Sequence, residues 1–172
     1  GYVGGTNDGC INDLACAVGV ICVGSITTRT HSPLLDGGRV DNSGTVGEIT
    51  ATSEYATLTD GSMLPDIVAP GNSVISSVST PNVESGDQSV PLSARCHVHD
   101  RDNYWARMSG TSMSSPYAAG AIALMLEANG DLTPAEAKQI LMSTARKPDN
   151  ASRQWGSSGC IDIHAAVTKA LA

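Results

Sequence analysis

The sequence predicts an α/β fold in which helices flank a mainly parallel sheet. An apolar run over residues 17–26 is rich in β-branched side chains, which is typical of a strand buried on both faces. The last third of the chain has helical patterns, and such a mixture indicates α/β. Phe is absent and Gly is abundant, which favours close packing of helices on a sheet. The 172 residues allow one compact domain or part of a larger one.

The elements that follow the first strand are short. Residues 29–49 are polar and Gly-rich, which predicts loops and turns. A proline-bounded apolar segment at 64–71 predicts a short strand entering a tight turn, and residues 74–78 predict another strand. Residues 79–107 contain prolines and many charges without any period. We therefore expect a long surface loop or insertion there.

Three helices are predicted in the C-terminal third. Pro116 is expected to open a helix over 117–128 that is apolar nearly all round and hence buried. Residues 133–136 form a capping-box pattern for the next helix, and Asp162 is placed to cap the last one. The residues expected to face the core in these two helices are Ala137, Ile140, Leu141, Ala145, Ile163, Ala166, Val167 and Ala170.

Charge and hydropathy exclude two classes of partner. Ten Lys and Arg against 17 Asp and Glu give a net charge of −7 without basic runs, so nucleic acid is a poor candidate. The longest apolar stretch, 15–24, is shorter than the ~20 residues of a spanning helix. The chain starts at Gly1 without a signal-like region, so we expect that it was processed or excised from a longer protein.

The five cysteines do not form a paired CxxC zinc motif. Cys22 lies in an apolar run and is interpreted as a small buried hydrophobe. Cys10 and Cys16 bracket a polar stretch, so a short disulfide loop is allowed. Cysteine usage alone does not decide between an exported and a cytosolic protein.

The segment that carries chemistry is Gly-Thr-Ser-Met-Ser-Ser-Pro at 110–116. Ser112 stands just ahead of a predicted helix, where backbone N–H groups are unpaired and the helix dipole is positive. An acyl-transfer oxyanion would be stabilised there, and Gly110 would let a substrate backbone approach closely. Taken by itself, the pattern also fits a Ser or Thr N-cap on an ordinary helix.

The same string, followed by Tyr-Ala-Ala-Gly, closely resembles the nucleophile motif of the subtilases, the subtilisin-like serine peptidases. Residues 20–25 resemble the buried strand of that family, 65–71 its Asp-(apolar)₂-Ala-Pro-Gly block, and 159–162 its turn into the last helix. The resemblance covers nearly the whole chain except 29–62 and 79–107. It implies the C-terminal half of a three-layer subtilisin-like catalytic domain, with Ser112 as the nucleophile.

Residues 4–9, Gly-Gly-Thr-Asn-Asp-Gly, resemble the Ala-Ala-Gly-Asn-Glu-Gly block of the subtilases. The Asn of that block donates to the oxyanion, which implies this role for Asn7. Gly4 and Gly5 would line the pocket for the residue that precedes the cut. Thr6, which stands where the family usually has Gly, lies beside that pocket. Asn-Asp-Gly at 7–9 is also ordinary turn chemistry, so Asn7 fits a turn residue as well.

The acid and the base of a subtilase both precede its serine. The expected blocks, an Asp followed by a small residue and Gly and a His in a His-Gly-Thr setting, do not occur in this chain. Asp36 lies downstream of Asn7, and His31, His97 and His99 have other surroundings. Since the match begins at the oxyanion-hole block, we expect an N-terminal half with Asp and His that is a separate chain or is lost.

The resemblance implies a serine endopeptidase that cleaves peptides or proteins with a Ser-His-Asp triad. Its partner would be that N-terminal half, and we expect a secreted or extracytoplasmic location. No cofactor is required; calcium often stabilises such proteins, but no ligand block can be named here. The alternative is a catalytically inactive half that serves as a binding or folding module. An α/β-hydrolase is disfavoured because its motif needs Gly where Ser114 stands.

Three further sets of residues have weaker interpretations. A metal site at His97, His99 and Asp100 is conceivable because His-x-His on a strand points both rings to one face, but a solvated loop is favoured. Arg101 and Arg107 are interpreted as surface ion-pair members rather than substrate clamps. The sequon at 150–152 is informative only for a eukaryotic secreted protein.

Overall fold

The computed structural model describes residues 7–17, 19–86 and 91–172. A short 3₁₀ helix, Asp13–Cys16, precedes the strands. The strands of the first half are β1 (Val23–Thr27), β2 (His31–Pro33), β3 (Arg39–Asp41), β4 (Ala56–Thr57), β5 (Met63–Leu64), β6 (Ile67–Asn72) and β7 (Val74–Val78). The second half contains α1 (Thr80–Glu84), β8 (Leu92–Val98), β9 (Arg101–Met108), α2 (Thr111–Ala128), α3 (Pro134–Thr144), a 3₁₀ turn (Arg153–Trp155) and α4 (Ile163–Ala170).

The parallel part of the fold is the pair of strands β1 and β6. Val23 lies opposite Ile67, and a further parallel bridge joins Val68 to Cys160. Ile67, Val68 and Ala69 are fully buried, as a strand covered on both faces requires. Helix α2 packs on both strands and α4 packs on α2 and α3, so the predicted α/β class is confirmed.

Both predicted helix caps are present. The Thr133 side chain accepts from the Glu136 backbone, and the Glu136 carboxylate accepts from the Thr133 N–H at 2.8 Å, which completes a capping box. The Asp162 carboxylate accepts from the Ala165 N–H at 3.1 Å. The residues predicted to face the core in α3 and α4 are confirmed. Ala137, Leu141, Ala166 and Ala170 are buried, and the partly buried Ile140, Ala145, Ile163 and Val167 pack against this cluster.

The sequence-based prediction for the first long helix is wrong in two respects. Helix α2 begins at Thr111, so Pro116 lies inside the helix instead of opening it. One face of α2 is buried, but Tyr117 and Leu124 are 42% and 47% exposed. The early start is possible because a Pro within the second turn removes only one intrahelical hydrogen bond. The exposed face exists because the described part of the chain places no element over it.

Residues 79–107, expected to form a long surface loop or insertion, contain regular secondary structure. This region forms α1 and the hairpin of β8 and β9, and the sheet order is β7-β9-β8, all antiparallel. A two-residue turn at His99 and Asp100, both with positive φ, joins the two hairpin strands. Most of β8 is exposed. Because an exposed strand does not need alternating apolar residues, the sequence of β8 has no period.

A second, smaller hairpin lies within residues 29–49 and is formed by β2 and β3.

The cysteines behave as ordinary side chains. Cys22 is buried, as predicted, and burial raises the pKa of its thiol to about 11. Cys16 is a free thiol whose Sγ lies 3.6 Å from the Asn12 carbonyl oxygen, so the allowed disulfide with Cys10 is not formed. None of the helices described is long and apolar enough to cross a membrane.

Candidate active site

The turn before α2 presents Ser112 at the surface. Gly110 is the N-cap residue with φ of 146°, a conformation that residues with a Cβ rarely adopt. Ser112 is the second residue of the helix and is exposed. No side chain caps this helix start, and the Met113 N–H donates back to the Gly110 carbonyl at 3.0 Å. The Ser112 hydroxyl therefore lies at the positive end of the helix dipole, beside a helix start that no side chain covers.

The turn is fixed to β6 on both sides of Ser112. Upstream, the Gly110 N–H donates to the Gly71 carbonyl at 2.8 Å. Downstream, the buried Ser114 hydroxyl donates to the Ala69 carbonyl at 3.0 Å. The strand approaches so closely that a Cβ on Gly71 would overlap the Ser114 hydroxyl. Ser112 thus stands on a rigid support, as precise positioning of a nucleophile requires.

A second layer of hydrogen bonds supports Ser109, directly before Gly110. Its hydroxyl donates to the Asn72 Oδ1 at 3.0 Å and accepts from the Ser73 N–H at 2.9 Å. The Asn42 side chain donates to the same Asn72 oxygen at 3.0 Å and to Ser109 Oγ at 3.2 Å. Sequence reasoning missed this network, because Asn42 lies in a segment assigned to loops and no motif or spacing links it to residues 72–109.

Asn7 lies at the edge of the described chain and is half-buried. Its Nδ2 donates to the Ala51 carbonyl at 2.5 Å and to the Ser53 carbonyl at 3.3 Å, and its own carbonyl accepts from the Tyr55 N–H. No hydrogen bond among the described residues joins Asn7 to Ser112. Gly4, Gly5 and Thr6, the predicted pocket residues, lie outside the described residues.

The four histidines belong to elements other than the nucleophile turn. His31 is in β2, His97 in β8, His99 in the hairpin turn and His164 in α4. None of them is hydrogen-bonded to Ser112 within the described part of the chain.

The His97 region contains an ion pair instead of a metal cluster. His97 Nδ1 lies 3.0 Å from Asp102 Oδ1, and Arg95 lies 3.6 Å from the other carboxylate oxygen. The hydrogen bond from His97 lowers the pKa of Asp102, with a smaller contribution from the charge of Arg95. No group of three or more His, Cys, Asp or Glu in residues 7–17, 19–86 and 91–172 is arranged to hold a metal ion.

Arg101 and Arg107 differ from the sequence-based interpretation. Within the described structure neither forms an ion pair, so the assignment to surface ion pairs is wrong. Arg101 is exposed, whereas Arg107 is half-buried and its Nη1 donates to Asn42 Oδ1 at 2.6 Å. Arg107 is bound into the network beneath Ser109.

The model of the subtilase family of peptidases matches residues 3–158, nine-tenths of the sequence. The chain belongs to the subtilase family. Among curated subtilase relatives, serine protease AprX of Bacillus subtilis (strain 168) is 35% identical over 107 residues, 62% of this chain and 22% of AprX. An extracellular protease of Xanthomonas campestris pv. campestris is 33% identical over 107 residues, 62% of this chain and 16% of that protein.

Solved structures give the same result for the fold. A protease of Pseudoalteromonas arctica PAMC 21717 superposes with a TM-score of 0.63 at 26% identity, over 95% of this chain and 40% of that one. Fervidolysin of Fervidobacterium pennivorans, a keratinolytic enzyme related to subtilisin, gives a TM-score of 0.56 at 20% identity over 87% of this chain and 19% of its own. The fold is subtilisin-like, and the chain spans less than half of each of these subtilases.

Proposed function

We propose that this chain supplies the nucleophile of a serine endopeptidase and that Ser112 is that nucleophile. Ser112 attacks the scissile carbonyl carbon, a histidine takes the hydroxyl proton and later passes it to the leaving amine, and an aspartate orients the histidine. The acyl-enzyme that forms is then hydrolysed by water. The substrates are proteins or peptides, and this chemistry needs no cofactor.

One observation carries the assignment of Ser112. It is the exposed hydroxyl on the first turn of α2, beside N–H groups that no side chain caps, in the motif of a family of peptidases. Negative charge that develops on a substrate carbonyl oxygen at this place is stabilised by these donors without any reorganisation. Ser114 and Ser115 are poorer candidates, because the first is buried and the second donates to the Thr111 carbonyl.

Asn7 is proposed as the side-chain donor of the oxyanion hole, together with the backbone N–H of Ser112. Its Nδ2 donates to Ala51 and Ser53 in the substrate-free chain, so it would exchange the longer of these bonds, 3.3 Å, for the oxyanion. Removing one such donor lowers the rate about 10²–10³-fold, a figure that was measured on a subtilisin. Gly4, Gly5 and Thr6 precede Asn7 and are proposed to bind the substrate residue on the acyl side of the cut.

The base and the acid are proposed to come from an N-terminal half that packs on the exposed face of α2. The support is the apolar character of that face, which includes Pro116, Ala119, Gly120, Ala123 and Leu124. Such a strip on a long helix is unusual for a free surface and fits an element that is covered in the working protein. The half would bring the His and Asp blocks that this sequence lacks.

We also infer a location outside the cytoplasm, supported by the name of the Xanthomonas relative.

A fluorophosphonate probe tests the function directly, since it labels only an activated serine. We expect the complete peptidase to be labelled on Ser112, with the label located by mass spectrometry, and to cleave an unstructured protein such as casein. Ser112→Ala should abolish both the labelling and the cleavage of casein. Ser115 is an exposed serine on the same helix, and Ser115→Ala should abolish neither. A complete protein that folds but is neither labelled nor active would instead be a catalytically inactive binding or folding module.

A further inference from the structure

A cavity of about 470 Å³ opens beside the nucleophile turn. Gly110, which lines it, is two residues from Ser112, so the cavity lies within on the order of 7 Å of the nucleophile along the chain. Ala51, the residue that accepts from the Asn7 amide, also lines the cavity. We refer to this space as the Arg107 cavity, after the arginine in its wall; Asn42, Met108 and Ser109 also line it.

The charge of the Arg107 cavity is opposite to that of the chain. The sequence carries a net charge of −7, yet the lining includes no Asp or Glu, and Arg107 is its one charged residue among the described residues. A cavity with a single cation and no anion attracts a negatively charged group and disfavours a positively charged one.

The hydrogen bonds of Arg107 are incomplete. Its Nη1 donates to Asn42, but its Nε is buried without a partner, and no carboxylate lies within 4.0 Å of it in the described structure. A half-buried guanidinium that lacks a counter-charge is costly, because it has lost water without a full replacement. A carboxylate bound in the cavity would supply the missing charge and accept from the planar guanidinium.

Asn42 fixes the guanidinium relative to the nucleophile turn. It accepts from Arg107 at 2.6 Å and donates to Ser109 at 3.2 Å, so two hydrogen bonds connect Arg107 to the residue before Gly110. A long side chain that is held in this way loses less conformational entropy when it binds a ligand. This arrangement is that of a binding group and not of a mobile surface arginine.

We propose that the Arg107 cavity is a subsite that binds a carboxylate of the peptide substrate and that Arg107 determines this specificity. The inference rests on the proposed peptidase function. The carboxylate would be an Asp or Glu side chain within a residue or two of the scissile bond, or the free C-terminus of a short product-side segment. Both present the same planar anion to the guanidinium.

Paired peptides test this specificity in the complete peptidase. Each pair differs only by Glu against Gln, or Asp against Asn, at one position near the cleaved bond, and each peptide is made with a free and with an amidated C-terminus. We expect kcat/KM to be about tenfold higher for the acidic member at one position. A preference that needs only the free C-terminus would identify the terminal carboxylate as the ligand.

Variants then assign the preference to Arg107. In Arg107→Gln, whose amide can still donate to Asn42, the acidic-to-amide ratio should fall to near one. In Arg107→Glu the ratio should fall below one, and a peptide with Lys at that position should be cleaved faster than its Gln counterpart. Arg101→Gln removes the same charge from an exposed position of the same strand and should keep the wild-type ratio. The ratio is taken within each enzyme, so a partial loss of folded protein does not affect it.

Two results would overturn the proposal while leaving the peptidase function intact. One is efficient hydrolysis without any acidic preference at any position, and the other is a preference that Arg107→Gln does not change. Complete absence of hydrolysis and of fluorophosphonate labelling at Ser112 would overturn the proposed function, and this inference with it.

Discussion

Met113 stands directly beside Ser112 in the first turn of α2 and is half-buried. Oxidation would convert its thioether into a bulkier, polar sulfoxide at the proposed nucleophile. We expect peroxide treatment of the complete peptidase to lower kcat about tenfold or more, because a small displacement of the nucleophile is costly. The measurement is residual activity against the extent of Met113 oxidation by mass spectrometry.

Met142, which is half-buried in α3 and does not line the Arg107 cavity, provides the matched control for Met113. Met113→Leu should protect the enzyme from peroxide, whereas Met142→Leu should not. Full activity in a sample with Met113 completely oxidised would show that this side chain does not affect turnover.

The thiol of Cys22 should resist alkylation at a pH at which an ordinary thiol reacts. Burial raises its pKa from 9.0 to about 11, and the nearby Asp66 carboxylate adds to the effect. Between pH 8 and pH 10 a thiol with pKa 9.0 becomes mostly thiolate, whereas Cys22 stays mostly protonated. Iodoacetamide at pH 10 should therefore modify the exposed Cys16 and Cys96 at least tenfold faster than Cys22, as measured by peptide mass spectrometry.

The direction of the pKa shift of Cys22 predicts how pH affects the free energy of unfolding. Because the pKa of Cys22 is higher in the folded chain, the protonated thiol contributes to stability below pH 9, and this contribution is lost as the pH rises toward 11. The selective protection of Cys22 should disappear in denaturant. Equal rates for Cys16 and Cys22 in the native protein would contradict the burial of this thiol.

Single residues differ in how far the sequence predicts their roles. The role proposed for Ser112 could be predicted because its motif is local, with seven consecutive residues that encode a glycine turn and a helix start. Asn42 and Arg107 were missed because they are 65 positions apart and meet only through the fold. Arg107 was even assigned to surface ion pairs, since a sequence does not show whether a counter-charge lies within reach.

The contact between β6 and the start of α2 is the interface on which the position of Ser112 depends. A Cβ on Gly71 would overlap the hydroxyls of Ser114 and Ser25 and would lie 2.8 Å from the Gly110 carbonyl oxygen. Gly71→Ala should therefore push the helix from the strand and destabilise the protein by about 1–3 kcal/mol, as overpacking does. A lowered melting temperature and weaker fluorophosphonate labelling would be the readouts.

Gly130→Ala is the control for this substitution. A Cβ there would meet only the Leu126 carbonyl oxygen, at an ordinary contact distance of 3.8 Å. Its melting temperature should stay within about 2 °C of the wild type, as for a change of less than 0.5 kcal/mol. A Gly71→Ala protein as stable and as reactive as Gly130→Ala would show that the strand and the helix can separate without consequence.

At the level of elements, the sequence predicted what is encoded locally and failed where packing decides. The capping box at Thr133 and the buried strand β6 were recognisable from a few adjacent residues. The hairpin β8–β9 was not, because β8 is mostly exposed and pairs with β9 through the backbone, for which side-chain patterns carry no information. The start of α2 was misplaced by five residues, since Pro116 is tolerated within the helix once β6 supports it.

The whole molecule is predicted to need a second half for both stability and catalysis. Residues 1–172 alone would leave the apolar strip of α2 exposed and Ser112 without a base. A serine hydroxyl without a base is too weak a nucleophile at neutral pH to attack an amide. In the subtilisin case, the oxyanion hole and substrate binding alone accelerate hydrolysis only about 10³–10⁴-fold over the reaction in water. We therefore expect the lone chain to aggregate or associate, and to remain unlabelled by a fluorophosphonate.

Adding the separately produced N-terminal half should restore labelling of Ser112 and peptide cleavage, at a rate that depends on the concentration of both parts. Leu124 lies in the apolar strip of α2 and is 47% exposed, so Leu124→Asp should weaken this association at least tenfold. Leu35→Asp, at a position 44% exposed in the turn between β2 and β3, changes the same kind of side chain away from α2 and should not. The decisive measurement is the concentration of the N-terminal half that gives half-maximal labelling. A lone chain that is monomeric, stable and reactive would contradict the half-domain model, because its triad would then have to be complete within residues 1–172.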